Sequence, residues 1–224
     1  MSSSPSRDLY GVFGSGGFGR EVVPMAVAML RSQGVVDPLV AFVVREEEHP
    51  STLNGHPVLS ETAFFAYSAG RRFFTIAIAD SRLRQKIAER AIAQGAEPFS
   101  LQAPHSMILD DVQAGPGLIL CPFAIITSTV RIGRFFHANI HSYLAHDCVI
   151  GDYVTFAPKV QCNGNVIIGD HAFIGAGALL RHGTPDHPLI IGAGAVVGMG
   201  AVVVRDVAPL TTVVGNPARV LRTA

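Results

Sequence analysis

The sequence predicts a small Rossmann-like α/β domain of the βαβ type over residues 1–104. A β-helix of hexapeptide repeats follows over residues 105–224, so the protein is mainly β overall. Apolar residues recur every six positions in the second half, and the first half instead alternates strand-like and helix-like segments. The 224 residues include 23 glycines and no tryptophan, and only 15% are charged. This composition suits a repetitive β structure, in which tight corners need small residues.

The six-residue period is the strongest signal in the chain. Steps of six from Ile108 reach only apolar or small residues as far as Leu180, and the fourth residue after each step is almost always small or β-branched. This period matches neither a helix nor a single strand. It predicts short strands joined by tight corners, with the apolar side chains in a narrow shaft and glycine easing the corner geometry. The phase is lost after Pro185 and resumes at Ile191, which predicts an inserted five-residue loop, Asp186 to Ile190.

The front domain combines three predicted strands with two predicted helices. The strands are Leu9 to Phe13, Leu39 to Val44 and Phe73 to Ala79, and the helices are Arg20 to Gln33 and Ser81 to Gln94. A glycine-rich turn, residues 14–19, separates the first strand from the first helix. Such a turn lets backbone N–H groups approach a phosphate at the positive end of a helix. The domain is too short for a complete doubly wound fold, and Val44-Arg45 stands where a dinucleotide site has an acidic residue.

Several segments together resemble a branch of the hexapeptide acyltransferase superfamily. That branch is the bacterial nucleotide-amino-sugar N-acetyltransferases, which are grouped with sialic acid O-acetyltransferase-like proteins. The matching segments are Ile150-Gly151-Asp152, Ile168-Gly169-Asp170, Gly215-Asn216-Pro217-Ala218, Asn54 to Leu59, Ile78 to Ile87 and Pro104-His105-Ser106. The resemblance implies a left-handed β-helix and a homotrimer with active sites between subunits. It also implies acetyl-CoA as co-substrate, with no metal.

The resemblance assigns the front domain to the nucleotide of a nucleotide-linked amino sugar. The glycine turn would meet the diphosphate, with the turn around Asp80 nearby. The implied nucleotide-sugar-binding residues are Gly14, Ser15, Gly16, Gly17, Phe18, Gly19, Asp80, Ser81 and Arg82. Phe18 replaces a frequent histidine of the family, and Val44-Arg45 replaces a frequent pair of aspartates. These departures leave the nucleotide and its mode of binding open.

The chemistry implied by the resemblance is acetyl transfer to the amino group of a nucleotide-linked 4-amino-deoxy sugar, in surface-glycan or lipopolysaccharide precursor synthesis. Acyl transfer needs a base, a donor for the oxyanion and aligned reactants. His146 is expected as the base, with Asp147 orienting it, and Asn139 and Gly164 complete the catalytic set. Thr155 replaces a second histidine found in some members. The expected acyl-CoA-binding residues are Gly164, Ala176, Gly177, Gly194, Arg205 and Arg219.

Three alternatives remain open from the sequence. The acceptor could be a sugar hydroxyl instead of an amine. A zinc enzyme like the γ-class carbonic anhydrases would use His105, His141 and His146, since three imidazoles with an open fourth position form a hydrating zinc site. A binding or scaffold protein without activity is the third alternative.

Charge and cysteine content indicate which partners and which cellular compartment to expect. Lys+Arg and Asp+Glu both number 17, which gives no electrostatic reason to expect nucleic acid or an anionic membrane as a partner. No secretion signal or membrane-spanning stretch is evident. The three cysteines lack a Cys-x-x-Cys spacing, so neither a disulfide framework nor a structural zinc site is expected. We therefore expect a cytoplasmic protein.

Overall fold

The computed structural model describes residues 7–45 and 50–221. The chain divides into two compact units, Met1–Pro104 and His105–Ala224. None of the helices within the described ranges is long and apolar enough to cross a membrane.

The first unit is built on a six-stranded sheet with the strand order β3-β4-β2-β1-β5-β6. All neighbouring strands in it are parallel except β3 and β4. The elements are β1 (Leu9–Phe13), α1 (Gly17–Ser32), β2 (Leu39–Val44), β3 (Thr52–Leu53), β4 (His56–Ser60), α2 (Glu61–Ala66), β5 (Arg72–Ile76), α3 (Ser81–Ala93), β6 (Glu97–Pro98) and β7 (Leu101–Gln102). Strand β1 is central, with β2 on one side and β5 on the other. The carboxyl ends of these three strands therefore surround a topological switch point, where α/β sheets bind ligands.

Two boundaries in this unit differ from the sequence prediction by more than one residue. Helix α1 begins at Gly17, so the last residues of the glycine turn are its first helical turn. Strand β5 ends at Ile76 and not at Ala79. The partner strand β1 ends at Phe13, which pairs with Ile76. Beyond that point the buried Arg84 donates from its guanidinium to the carbonyls of Ile78 at 2.7 Å and Ala79 at 3.2 Å. A side chain thus takes the place of a neighbouring strand there.

The second unit is a parallel β-helix with three faces. Face 1 comprises β8 (Met107–Ile108), β11 (Ile125–Ile126), β14 (Tyr143–Leu144), β17 (Gln161–Cys162), β20 (Leu179–Leu180) and β23 (Val202–Val203). Face 2 comprises β9 (Val112–Ala114), β12 (Val130–Ile132), β15 (Val149–Ile150), β18 (Val166–Ile168) and β21 (Leu189–Ile191). Face 3 includes β10 (Ile119–Leu120), β13 (His137–Ala138), β16 (Thr155–Phe156), β19 (Phe173–Ile174), β22 (Val196–Val197) and β24 (Thr212–Val214), with β25 (Arg219–Val220) antiparallel to β24.

The hexapeptide positions form the core of this β-helix, as predicted. Both predicted series point inward, because side chains two residues apart share one face of a strand. Ile132 and Ile150 represent one series and Val130 and Cys148 the other, and all four are buried. Ala114, in the first coil, and Thr184, at the interruption of the repeat, are exposed and are the two exceptions.

The corners use glycine differently from the prediction. Most corner residues with a left-handed backbone are not glycine; Phe135, Tyr153 and His171 occupy successive corners between faces 2 and 3, with φ of 53, 58 and 60°. Gly151 does not have a positive φ. It is glycine because the next coil is close: a Cβ there would lie 2.6 Å from the Asp170 nitrogen. Close approach of coils, and not turn geometry, explains the Ile-Gly-Asp repeats.

The interruption of the repeat also lies slightly earlier than predicted. Leu189 and Ile190 pair with Val166 and Ile167, so they are strand residues and not loop. Gly183 still keeps the coil register, since its N–H donates to the Gly164 carbonyl at 2.8 Å. The inserted residues are therefore 184–188, and reciprocal backbone bonds between Thr184 and His187, at 3.0 and 3.1 Å, close that loop.

Candidate active site

The glycine turn of the first unit is shaped by close packing at its two ends. Gly14 has φ +110°, and a Cβ there would lie 3.0 Å from the Ala77 carbonyl oxygen. A Cβ on Gly19 would lie 2.0 Å from the Gly14 carbonyl oxygen, which no side chain can accept. Gly16 and Gly17 have nothing within 4 Å of such a Cβ. The turn is thus fixed at both ends and open in the middle, where a ligand can approach.

The first turn of α1 faces this open space with an uncapped end. The N-cap residue is Gly16, which supplies no side-chain hydrogen bond, and the first turn carries no acidic side chain. The amide groups and the dipole at such an end favour an anion. Ser15 and Phe18 flank the same turn. These features suit the diphosphate expected from the sequence.

Asp80 has a structural role that its sequence position did not reveal. Its Oδ1 accepts hydrogen bonds from the backbone N–H groups of Arg82 and Leu83, both at 2.9 Å, so Asp80 is the N-cap of α3. Ser81 is the first residue of that helix and Arg82 is exposed. The turn lies beside the glycine loop, because Gly14 packs against Ala77 and Ile78.

A cavity of about 260 Å³ opens at the carboxyl ends of β1, β2 and β5. Its walls are mostly apolar, and its polar lining residues are Ser15, Arg45, Glu61 and Arg90. Sequence reasoning missed Glu61 and Arg90, which belong to no motif. It noted Arg45 only as a departure from the family pattern. We call this space the base cavity, with its lining residues Phe13, Gly14, Ser15, Val43, Val44, Arg45, Glu61, Ile78, Leu83, Ile87 and Arg90.

In the second unit, the side chains of His146 and Asp147 form a hydrogen-bonded pair at the corner between faces 1 and 2. The distance from His146 Nδ1 to Asp147 Oδ2 is 2.7 Å. Asp147 has φ +58°, and its backbone N–H donates to the Ser128 carbonyl at 3.2 Å, which ties it to the preceding coil. A carboxylate at Nδ1 favours a proton there, so Nε2 is left as the proton acceptor. The imidazole is 61% exposed and can reach a substrate.

Gly164 lies against the His146 ring from the next coil. A Cβ at Gly164 would lie 2.5 Å from His146 Cε1 and 2.8 Å from Nε2. In the part of the chain that the structure describes, the Gly164 N–H donates to no acceptor. The structure therefore brings the candidate base and an available backbone donor together, as acyl transfer requires.

Asn139 and the candidate CoA-binding residues lie elsewhere on the chain. Asn139 is near the corner between faces 3 and 1, where its Oδ1 accepts from the Ile140 N–H at 2.8 Å. Ala176 and Gly177 follow face 3 at that same corner, whereas Gly194 follows face 2. Arg205 and Arg219 line one cavity of about 180 Å³ in the last coil. A single chain thus spreads these residues over different corners.

A hydrogen-bonded pair that sequence reasoning missed supports the Gly164 segment. The Tyr143 hydroxyl donates to Asn163 Oδ1 at 2.5 Å, and Asn163 Nδ2 donates to the Leu180 carbonyl at 2.7 Å. Burial, followed by the nearby thiols of Cys162 and Cys148, raises the pKa of Tyr143. The phenol therefore stays protonated and keeps donating as the pH rises. This pair holds Asn163, the neighbour of Gly164.

Comparison with known proteins decides the family. The chain is 45% identical over 215 residues to the GDP-perosamine N-acetyltransferase of Escherichia coli O157:H7, covering 96% of this chain and 97% of that relative. The chain belongs to the nucleotide-amino-sugar N-acetyltransferases. Residues 11–91 of this acetyltransferase match the PglD N-terminal domain family.

Solved structures agree with this assignment. WeeI from Acinetobacter baumannii AYE superposes on the acetyltransferase with a TM-score of 0.91 at 50% identity, covering 96% of this chain and all of that one. PerB from Caulobacter crescentus, in complex with CoA and GDP-perosamine, gives a TM-score of 0.84 at 27% identity, covering 98% and 100% of the two chains. The predicted fold, family and acetyl-CoA-dependent N-acetyltransferase activity are confirmed.

The zinc alternative required three histidines that a single chain of the acetyltransferase does not bring together. His105 and His141 each stack on Phe123, with ring centroids 5.8 and 5.0 Å from it, so that ring lies between them. His146 lies after the next strand, at another corner. Among residues 7–45 and 50–221, no group of three His, Cys, Asp or Glu side chains could hold a metal ion. Within one chain, the spacing of these histidines therefore does not assemble a zinc site.

Proposed function

We propose that this acetyltransferase moves the acetyl group of acetyl-CoA to the amino group of a GDP-linked amino sugar. The observation that carries the proposal is the His146–Asp147 pair lying against Gly164, in a β-helix preceded by a unit with an uncapped glycine turn. The 45% identical relative named for GDP-perosamine favours guanosine diphosphate as the nucleotide. The setting that we propose is cytoplasmic synthesis of surface-glycan precursors.

The chemical steps follow from the geometry of His146. The sugar amine attacks the thioester carbonyl carbon, and the Gly164 N–H donates to the oxyanion that forms. His146 Nε2 accepts the amine proton, while Asp147 stabilises the resulting imidazolium at Nδ1. The carbon–sulfur bond then breaks, and the thiolate leaves and takes up the proton. The products are an amide and free CoA, so atoms and charges balance.

The uncapped end of α1 supports binding of the diphosphate by the first unit. We assign this contact to Gly14, Ser15, Gly16, Gly17, Phe18 and Gly19. Asp80 contributes by starting α3, with Ser81 and Arg82 at its first turn. A diphosphate at these positions directs the attached base toward the base cavity, because Gly14 and Ser15 line that cavity.

We also propose a homotrimer with active sites between subunits. Asn139, Ala176 and Gly177 lie at a different corner from His146 and Gly164. A neighbouring subunit could place its own copies of Asn139, Ala176 and Gly177 beside His146 and Gly164. Face 2 carries an outward row of apolar side chains, Val149, Ile167 and Ile190, which are 47, 39 and 43% exposed. An exposed apolar row of this kind is typical of an interface. In the last coil, Arg205 and Arg219 are available for the CoA phosphates.

The test is release of free thiol from acetyl-CoA in the presence of GDP-, UDP- and dTDP-linked 4-amino sugars. Release that requires the GDP-linked amine, with an amide as the product, supports the proposal. Release only with a UDP- or dTDP-linked amine rejects the nucleotide that we propose but keeps the reaction. If no amine supports thiol release, and thiol is released when a sugar hydroxyl is the acceptor, N-acetyl transfer is contradicted.

A further inference from the structure

We propose that Glu61 and Arg45 select guanine as the base of the nucleotide sugar, with Glu61 accepting from its Watson–Crick edge and Arg45 donating to its carbonyl edge. The inference rests on the proposed function, because it takes the diphosphate to lie at the glycine turn. It goes further by naming the side chains that distinguish one base from another.

The base cavity has a size and a lining that suit an apolar ring with polar edges. Phe13, Val43, Ile78, Leu83 and Ile87 are its apolar lining residues. The polar side chains Arg45, Glu61 and Arg90 line the cavity together with these residues. Ligand sites commonly combine apolar walls with a few placed polar groups that fix orientation.

Glu61 is held in place as a hydrogen-bond acceptor. Arg90 donates to both of its oxygens, from Nε to Oε1 at 2.5 Å and from a terminal nitrogen to Oε2 at 2.8 Å. The Glu61 side chain is only 20% exposed. Ser60 caps α2 by accepting from the Ala63 N–H at 3.1 Å, which fixes the helical turn that carries Glu61.

A carboxylate so held keeps acceptor capacity for a ligand. Each ionised carboxylate offers about four lone-pair sites, and Arg90 uses two of those on Glu61. Guanine presents two adjacent donors, N1–H and the N2 amino group, which match two carboxylate oxygens. Uracil presents one N–H between two carbonyl oxygens, and a carboxylate repels those two oxygens. Adenine presents a bare acceptor nitrogen at the corresponding position.

Arg45 supplies donors to the same cavity. It follows the end of β2, and it lines both the base cavity and an adjoining cavity of about 620 Å³ that Glu61 and Arg90 also line. Guanidinium donation to guanine O6 and N7 is a common specific contact to this base.

The test compares binding of GDP, IDP and UDP by titration calorimetry to the full chain. IDP lacks only the N2 amino group of GDP, so it isolates the donor that Glu61 would read. We expect wild type to bind GDP about tenfold more tightly than IDP, the size of one hydrogen bond to a charged group. Glu61→Gln should reduce this preference to less than about twofold. Glu89→Gln is the matched control, since Glu89 lies on α3 outside the base cavity and contacts Gln85, and it should keep the preference.

Arg45→Met provides an independent second variant at an exposed position. This variant should bind GDP and IDP more weakly by the same factor, because both bases carry O6 and N7. Its affinity for UDP should fall less. Equal binding of GDP and IDP by wild type would overturn the role of Glu61 while leaving GDP-sugar acetylation intact. Tighter binding of UDP than of GDP would reject both the inference and the proposed nucleotide. If Glu61→Gln lowered the affinity for all three nucleotides by the same factor, the role of Glu61 would be structural only.

Discussion

Gly164 and His146 depend on each other through a contact that only glycine permits. The imidazole lies where a Cβ of residue 164 would be, 2.5 Å from Cε1. In the mechanism that we propose, the backbone N–H of the same residue donates to the oxyanion. The missing methyl group at position 164 would then serve both the base and the oxyanion donor.

Replacing His146 with alanine should strongly impair turnover and leave nucleotide binding largely intact. Loss of a general base typically costs ~10²–10⁴-fold, and an amine nucleophile places the effect toward the lower end. Measured kcat and the GDP dissociation constant separate the two effects. His182→Ala is the matched control, an exposed histidine that precedes the insertion. Unchanged turnover in the His146 variant would remove it from the mechanism.

A methyl group added at position 164 should act on catalysis more than on folding. In Gly164→Ala the exposed imidazole can rotate away, so we expect a melting temperature within a few degrees of wild type. The rotated ring loses its position, and kcat/KM should fall at least about tenfold, which is about 1.4 kcal/mol. Steady-state kinetics and thermal denaturation test this together. A large loss of stability with normal residual activity would contradict it.

At the scale of elements, Asp80 shows how a loop residue can serve a ligand indirectly. Its carboxylate starts α3 and so fixes the turn beside the glycine loop. The buried Arg84 also fixes this turn, because its guanidinium donates hydrogen bonds to the Ile78 and Ala79 carbonyls. The carboxyl end of β5 is thus organised by two side chains before any ligand binds.

Replacing Asp80 with alanine should destabilise the first unit by about 1 kcal/mol, the usual value of an N-cap. Asp80→Asn keeps a capping oxygen and should recover most of that loss. Urea denaturation measures the change, and GDP titration on the same variants measures binding. If the asparagine variant regained stability but bound GDP as poorly as the alanine variant, the carboxylate would be a direct ligand.

The sequence predicted some elements better than others for physical reasons. The bounds of β1 and β2 match because each is a short apolar run that ends at a glycine or a charged residue. Strands β3 and β4 and helix α2 are short and have no clear period, so they were missed. Glu61 and Arg90 were missed with them, because their pairing joins α2 to α3 across 29 residues. The His146–Asp147 pair was visible because its members are adjacent.

At the scale of the whole molecule, the β-helix is a stack in which each coil touches only its neighbours. Such a stack is stabilised coil by coil, and an insertion that leaves the register intact is tolerated. Residues 184–188 leave and rejoin the stack without disturbing the pairing of β18 with β21. The outward row on face 2 runs along the stack and is therefore available for association.

Ile167→Asp should convert the proposed trimer into monomers and abolish most activity. A charge placed in an apolar interface is strongly unfavourable unless it is paired. Residue 167 points outward, so the isolated chain should still fold. Light scattering after size exclusion gives the mass, and circular dichroism checks the fold. Gln161→Asp on face 1 is the control, an exposed position that should stay trimeric, and a trimeric Ile167→Asp would exclude face 2 as the interface.

The stacked corner rings give the β-helix an intrinsic optical signal. Tyr153 lies between Phe135 and His171, with ring centroids 5.4 and 5.2 Å away and interplanar angles of 4 and 6°. The chain has four tyrosines and no tryptophan to mask them. Near-ultraviolet dichroism at tyrosine wavelengths therefore contains a contribution from this corner. The difference between wild type and Tyr153→Phe isolates that contribution, so unwinding of the central coils can be followed without attaching any dye.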